Sequence, residues 1–165
     1  MPAELEEVVV PPDPFTIPAK NDYKGDVLVW DLDRTYLRTE FESLRDLIRT
    51  ALQKAKDKIA YPGASALMRA LRTAADGSKR PIFFVSASPP QIRKVVHEKF
   101  ALDAVQVDGV YFKDNIRNVR PSRLKRIREQ VGYKLLALLD LRTRLPRGAT
   151  LTCFGDDMES DALIY

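Results

Sequence analysis

Asp31 and Asp33 stand one residue apart in "VLVWDLDRTYLRTE", directly behind an apolar run. Charge at the end of a buried strand is costly unless it is paired or binds a cation. Two other apolar runs end in residues capable of chemistry: Ser86 in "FFVSASPP" and Gly155-Asp156-Asp157 in "TCFGDDMESD". A carboxylate can act as a nucleophile and carry an aspartyl-phosphate. A second carboxylate, two residues on, can protonate the leaving oxygen and later activate water. Three carboxylates gathered at one place suit Mg²⁺, which favours hard oxygen ligands and takes phosphate as co-ligand. A serine hydroxyl and backbone N–H groups at a helix start can hold phosphate oxygens. A lysine can neutralise the charge that remains.

These residues share a site only if the chain brings the ends of its strands together. "DVLVW" (26–30) is a continuous apolar run, the pattern of a strand buried on both faces. Thr39 and Glu42 form a capping box, after which Leu44, Leu47, Ile48, Ala51, Leu52, Ala55 and Ile59 recur at helical spacing. Pro62-Gly63 ends that helix, and a second runs from Ala64 to Ala75, stopped by Asp76-Gly77-Ser78. "PIFFVSAS" (81–88) predicts a second strand, with Ser88 capping a helix to about Phe100, Pro89 at its first position and Gln91 completing the box. "AVQVDGVYF" (104–112) predicts a third strand or a strand pair broken at Asp108-Gly109. A basic helix from Ser122 is stopped by Gly132, and Tyr133–Leu141 is again helical. "TLTCF" (150–154) is a fourth strand, followed by a helix from about Met158.

Alternating strands and helices predict an α/β fold with a mostly parallel sheet. Ligands of such sheets bind at the carboxyl ends of the strands, at a topological switch point. Asp31, Asp33, Ser86 and Asp156-Asp157 all fall at that edge. Short acidic residues also favour plain turns, and Asp31 and Asp33 alone would read that way. Their coincidence with Ser86 and Asp156-Asp157 argues for a site.

Composition narrows the chemistry. The 165 residues fit one domain with a real core, and 45% apolar and 30% charged residues are ordinary for a globular protein. One cysteine, Cys153, and one histidine, His97, exclude a disulfide scaffold and a Cys/His zinc site within one chain. His97 reads as a half-buried structural residue on a helix, and Cys153 as a small apolar strand residue. Such cysteine usage fits a cytoplasmic protein. No apolar run approaches the length of a membrane span. The acidic, Pro-rich start reads as a flexible leader over residues 1–24, with the core over 25–165. The net charge of +4 is compatible with an anionic substrate or surface. The basic run from Arg117 to Arg128 reads as a solvated face before it reads as a lipid or nucleic-acid surface.

"DLDRT" (31–35), the serine ending the second strand, a lysine before strand four and "GDDMESD" (155–161) resemble the four motifs of the haloacid dehalogenase superfamily of phosphohydrolases. "FFVSASPPQI" and "GDDMESDALIY" are most similar to the catalytic domain of actin-patch-type phosphatidate phosphatases. The resemblance implies a Rossmann-like three-layer core with a minimal cap, and Mg²⁺ as cofactor. It implies Asp31 as nucleophile and metal ligand. Asp33 is the implied acid/base, touching the metal through its backbone carbonyl. Ser86, with Ala87 beside it, is implied in phosphate binding, and Thr35 in bracing the turn. Asp156 is the implied metal ligand after strand four, with Asp157 and Asp161 in support. Lys134 in "VGYKLLALL" takes the lysine's place, with Lys125 in "SRLKRIREQ" as the alternative. Arg34, Asp157-Met158 and Ala162-Leu163 depart from the lipid-phosphatase pattern, and that superfamily core normally continues past Tyr165, so a C-terminally shortened chain is expected.

The leading expectation is therefore a Mg²⁺-dependent phosphomonoesterase with phosphatidate as first candidate substrate, reached without a transmembrane segment. A phosphatase of nucleic-acid ends is the substrate alternative. A phospho-acceptor domain without turnover and an inactive binding module stand as the alternatives of a different class.

Overall fold

The computed structural model describes residues 23–37, 60–88, 90–113, 123–156 and 161–165, without the side chains of 123–130. The element order is β1 (Asp26–Asp31), α1 (Ala64–Leu71), β2 (Ile82–Ser86), a 3₁₀ turn (Pro90–Ile92), α2 (Arg93–Leu102), β3 (Gly109–Phe112), α3 (Arg123–Arg144), β4 (Thr150–Phe154) and α4 (Asp161–Ile164). The strands form one parallel sheet in the order β3-β2-β1-β4. Consecutive strands step outward from β1 to β3, and then α3 carries the chain back to place β4 on β1's other side. The direction reverses between β1 and β4, which is the switch point of the sheet.

Alternation along the strands builds the three layers. Leu28, Trp30, Ile82 and Phe84 point to one face, where they pack with Met68 of α1 and Val96 and Phe100 of α2. Val27, Val29, Phe83 and Val85 point to the other, against Ala137, Leu138 and Leu141 of α3. Both faces are dry, so β1 and β2 carry continuous apolar sequence. Each fully buried phenylalanine of β2 contributes about 2–3 kcal/mol of transfer free energy. Trp30 stacks on Phe154 at 4.0 Å and 8°, tying β4 to β1 through their side chains as well as their ladder.

Several boundaries differ from the sequence reading. The helix from Ala64 ends at Leu71 rather than Ala75, because Thr73 bridges back to Lys79 and Gly77 turns the chain at a φ of 81°. The third strand is Gly109–Phe112 alone; Val105 is apolar because it fills the core, not because it pairs. Gly132 does not stop a helix, since α3 runs unbroken for 22 residues. A mid-helix glycine costs about 1 kcal/mol relative to alanine, and the apolar stripe of α3 outweighs it. Ser88 caps no helix: the residue before α2 is Ile92, which makes no side-chain capping bond. The helix expected over 44–59, with the cap it implies, and the leader up to residue 22 lie outside the described residues. Leu37 and Ala60 form an isolated antiparallel bridge with each other.

Candidate active site

β1 delivers Asp31 to the carboxyl edge, one register step beyond the Trp30–Phe154 pair and level with Val85 of β2. Ser86 and Gly155-Asp156 therefore flank Asp31 on the two neighbouring strand ends. The chain turns immediately after β1. Leu37 N–H donates to Leu32 O at 2.8 Å, and Arg34 N–H donates to Leu37 O at 2.9 Å. Arg34 sits at a φ of 61°, left-handed backbone that side chains other than glycine resist. These backbone bonds hold the turn, and the Thr35 hydroxyl is buried with no hydrogen-bond partner.

Lys134 reaches the site from the buried stripe of α3. It precedes Ala137, Leu138 and Leu141 at helical spacing and is fully buried. Its Nζ lies 2.8 Å from Asp31 Oδ1 and 2.5 Å from Asp161 Oδ1. Asp31 and Asp161 are each 1% exposed, so one ammonium serves two buried carboxylates. Burial pushes the Asp31 carboxyl up to about 8, opposed by Lys134 and reinforced by the Asp161 charge. Lys134 is held above its ordinary value: burial works to lower it, and the two carboxylates outweigh burial. Asp31 Oδ2 and Asp161 Oδ2 are buried without hydrogen-bond partners.

Asp33 is held by the serines that end β2 and follow it. Its Oδ2 accepts the Ser86 hydroxyl at 3.0 Å and the Ser88 hydroxyl at 2.8 Å. Ser88 N–H in turn donates to Ser86 Oγ at 3.1 Å. Ala87 is the bend between the two serines. Gly155 is required by packing: a Cβ there would collide with the Asp161 carboxylate and lie 2.7 Å from a Tyr165 ring carbon. Tyr165 stands at the rim, 40% exposed. Burial, then the charges of Asp161 and Asp31, raise its phenol well above the usual tyrosine range, so it stays a neutral donor.

The sequence-predicted residues thus divide. Asp31, Lys134 and Asp161 form one buried cluster, Asp33 and Ser86 bond to each other, and Asp156 sits beside Asp31 by register. Asp157 is outside the described residues, and so is the Lys125 side chain. Among the described residues no group of three or more His, Cys, Asp or Glu side chains is arranged as a cation site. Ser88 and Tyr165 were missed. The Tyr165 signal was its place four residues after Asp161; that of Ser88 was hidden by its resemblance to a cap. His97 is half-buried, its ring edge-on to Phe100 at 6.0 Å. Cys153 is a free thiol on β4, pushed up to about 11 by burial and by Asp161.

The sequence model described as phosphatidate phosphatase APP1, catalytic domain, matches residues 27–165. The chain belongs to that family. The four-stranded parallel sheet with helices on both faces is the Rossmann-like three-layer sandwich, and the haloacid dehalogenase placement is consistent with it. No curated protein matches the chain. Two solved structures are similar to it. "Structure of the Pnkp1/Rnl/Hen1 RNA repair complex" contains a chain 11% identical, with a TM-score of 0.44, over 79% of this chain and 43% of that one. "Structure of Pnkp1/Rnl/Hen1 complex" contains one 10% identical, with a TM-score of 0.45, over 89% of this chain and 52% of that one. The chain thus spans about half the length of the chains it matches. Among the described residues, no helix is long and apolar enough to cross a membrane.

Proposed function

We propose that the chain hydrolyses phosphate monoesters through an aspartyl-phosphate on Asp31, with phosphatidate as first candidate substrate. The observation that carries this reading is the state of Asp31. It is buried at a strand end, its Oδ1 is held by Lys134, and its Oδ2 has no hydrogen-bond partner. A buried carboxylate oxygen without a partner is costly, and a phosphorus atom to attack gives it a purpose.

In the first step an Asp31 oxygen attacks phosphorus and the bond to the ester oxygen breaks. Asp33, entering as the acid, gives its proton to that oxygen, and the alcohol leaves. In the second step Asp33, now a carboxylate, takes a proton from water. The water oxygen attacks phosphorus, the bond to Asp31 breaks, and orthophosphate departs. Ser86 turns its hydroxyl to a phosphate oxygen, and Lys134 fixes the Asp31 carboxylate and offsets charge. Asp161 holds Lys134 in place.

Mg²⁺ fits this donor set. With both carboxylates ionised, Asp31, Lys134 and Asp161 carry one excess negative charge in a buried place, and Asp31, Asp33 and Asp156 offer oxygen donors at the edge. Asp31 and Asp156 would hold the ion through carboxylates and Asp33 through its backbone carbonyl. When bound, the ion neutralises charge on the phosphoryl group and keeps Asp31 ionised.

The test is phosphate release from phosphatidate in vesicles, from an aryl phosphate and from an end-phosphorylated oligonucleotide, with and without Mg²⁺. Turnover that requires Mg²⁺ and is lost in Asp31→Asn is expected, fastest on phosphatidate. Release from the oligonucleotide alone would move the substrate to nucleic-acid ends. A stable phosphoprotein without release would make the chain a phospho-acceptor.

A further inference from the structure

Ser88 is the second donor on Asp33, and it does something that Ser86 cannot. Ser86 has a single hydroxyl hydrogen. In the structure that hydrogen goes to Asp33 Oδ2, while Ser86 Oγ accepts the Ser88 N–H. When Ser86 donates to a phosphate oxygen instead, its bond to Asp33 is given up. The Ser88 hydroxyl, at 2.8 Å from Asp33 Oδ2, is a donor that survives that exchange.

The main chain of Ser88 is built for this. Its carbonyl accepts Lys113 N–H at 3.0 Å, from the end of β3, and its own N–H is tied to Ser86. Both anchors are backbone atoms, so the hydroxyl is not needed to hold the turn. The residue is 4% exposed, so its hydroxyl is set in the protein interior rather than in solvent. It makes no cap for α2, which starts at Arg93 with Ile92 before it.

We propose that Ser88 is a positioning residue for acid–base catalysis: it keeps the Asp33 carboxyl aimed at the leaving oxygen, and then at water, once Ser86 has turned to phosphate. This rests on the acid–base role given to Asp33 above. The consequence is selective. An ester whose leaving group needs a proton depends on where Asp33 points. An ester that expels a stable phenolate does not need that proton until the phosphoenzyme is hydrolysed.

The experiment compares the unsubstituted chain with Ser88→Ala and Ser88→Thr on an alkyl phosphate and on 2,4-dinitrophenyl phosphate, with Mg²⁺ present. In Ser88→Ala, kcat/KM for the alkyl ester is expected to fall about 30-fold, and for the dinitrophenyl ester less than about 3-fold, a fraction of the usual acid–base contribution. The same variant should release a burst of dinitrophenolate, about one per chain, before slow turnover, because the second step still needs Asp33. Ser88→Thr keeps the hydroxyl and should restore the alkyl ester and abolish the burst. An equal loss on both esters without a burst, or no loss at all, overturns the proposal while leaving the hydrolase reading intact. An unsubstituted chain silent on both esters overturns the hydrolase reading and this role with it.

Discussion

Two charge clusters in this molecule set aspartate against a basic side chain, to opposite ends. At the amino-terminal side of β2, Arg72 and Asp108 form a closed pair. Asp108 Oδ1 accepts Arg72 Nη2 at 3.1 Å, Oδ2 accepts Arg72 Nη1, and Ile82 N–H adds a bond to Oδ2 at 2.7 Å. One cation meets one anion, and both carboxylate oxygens are used; only Arg72 Nε goes without. At the carboxyl edge, Asp31, Lys134 and Asp161 are more deeply buried, yet two anions share one cation and two carboxylate oxygens are left over. The first arrangement anchors β2 to the segment before β3. The second is unfavourable as architecture, and an unbalanced, unsatisfied buried cluster is where function is looked for.

The largest expected effect is chemical. Asp31→Asn should lower turnover about 10⁴-fold or more, as loss of a nucleophile does, and the folded chain should persist because the charge imbalance is relieved. The structural pair should behave oppositely. Asp108→Asn should cost about 2–3 kcal/mol in a denaturation curve, less than a fully buried pair because both partners are partly exposed, with kcat unchanged in the folded fraction. If both substitutions damage stability and spare turnover, the contrast between the clusters is lost.

Lys134→Met attacks the imbalance from the other side. Two buried carboxylates lose the cation they share, and about 3–5 kcal/mol of stability should go with it. Added Mg²⁺ should recover part of that loss in thermal denaturation, since a cation near Asp31 replaces some of the missing charge. A Lys134→Met chain as stable as the original, with or without Mg²⁺, would show that the ammonium is not what holds the cluster.

The same imbalance predicts a pH dependence. The Asp31 carboxyl is raised to about 8 in the fold, from 3.8. A raised acid stabilises the folded state fully below the unfolded value, and that contribution is lost as pH climbs from about 4 to about 8. Asparagine does not titrate. Without divalent cation, the stability of Asp31→Asn relative to the original chain should therefore rise between pH 5 and 8, and Mg²⁺ should shrink the gap. Parallel curves across that range would place the Asp31 carboxyl near its ordinary value.

Much of this was legible in the residues, for definite reasons. Continuous apolar runs marked β1 and β2 because a parallel sheet covered on both faces leaves no polar side. Asp31 and Ser86 followed from those runs, since the edge of such a sheet is where the runs stop, whereas β4 is an edge strand with Thr150 and Thr152 exposed. Lys134 was legible only through the family resemblance, as the lysine at the start of the helix before β4, with Lys125 as the alternative. Ser88 was not: its local surroundings satisfy a capping pattern, while its hydroxyl is used 55 residues away in sequence. Gly132 misled for a related reason, because the packing that keeps α3 whole comes from the sheet. Local propensity lost wherever a long-range contact had first claim on the residue.

The smallest expected effect tests whether the turn behind β1 shares in the unfavourable character of the site. Arg34 holds a φ of 61°, at about 1–2 kcal/mol of backbone strain for a residue with a Cβ. Arg34→Gly removes that strain and returns part of it as unfolded-chain entropy, for a net gain of about 0.5–1 kcal/mol. Turnover should stay within about 2-fold, because during the reaction Asp33 is still held by the Ser88 hydroxyl and not by the turn alone. A variant that gains stability and loses turnover would mean that the strain at Arg34, and not only the Ser88 hydroxyl, aims Asp33. The turn would then belong with the unbalanced cluster rather than with the closed pair.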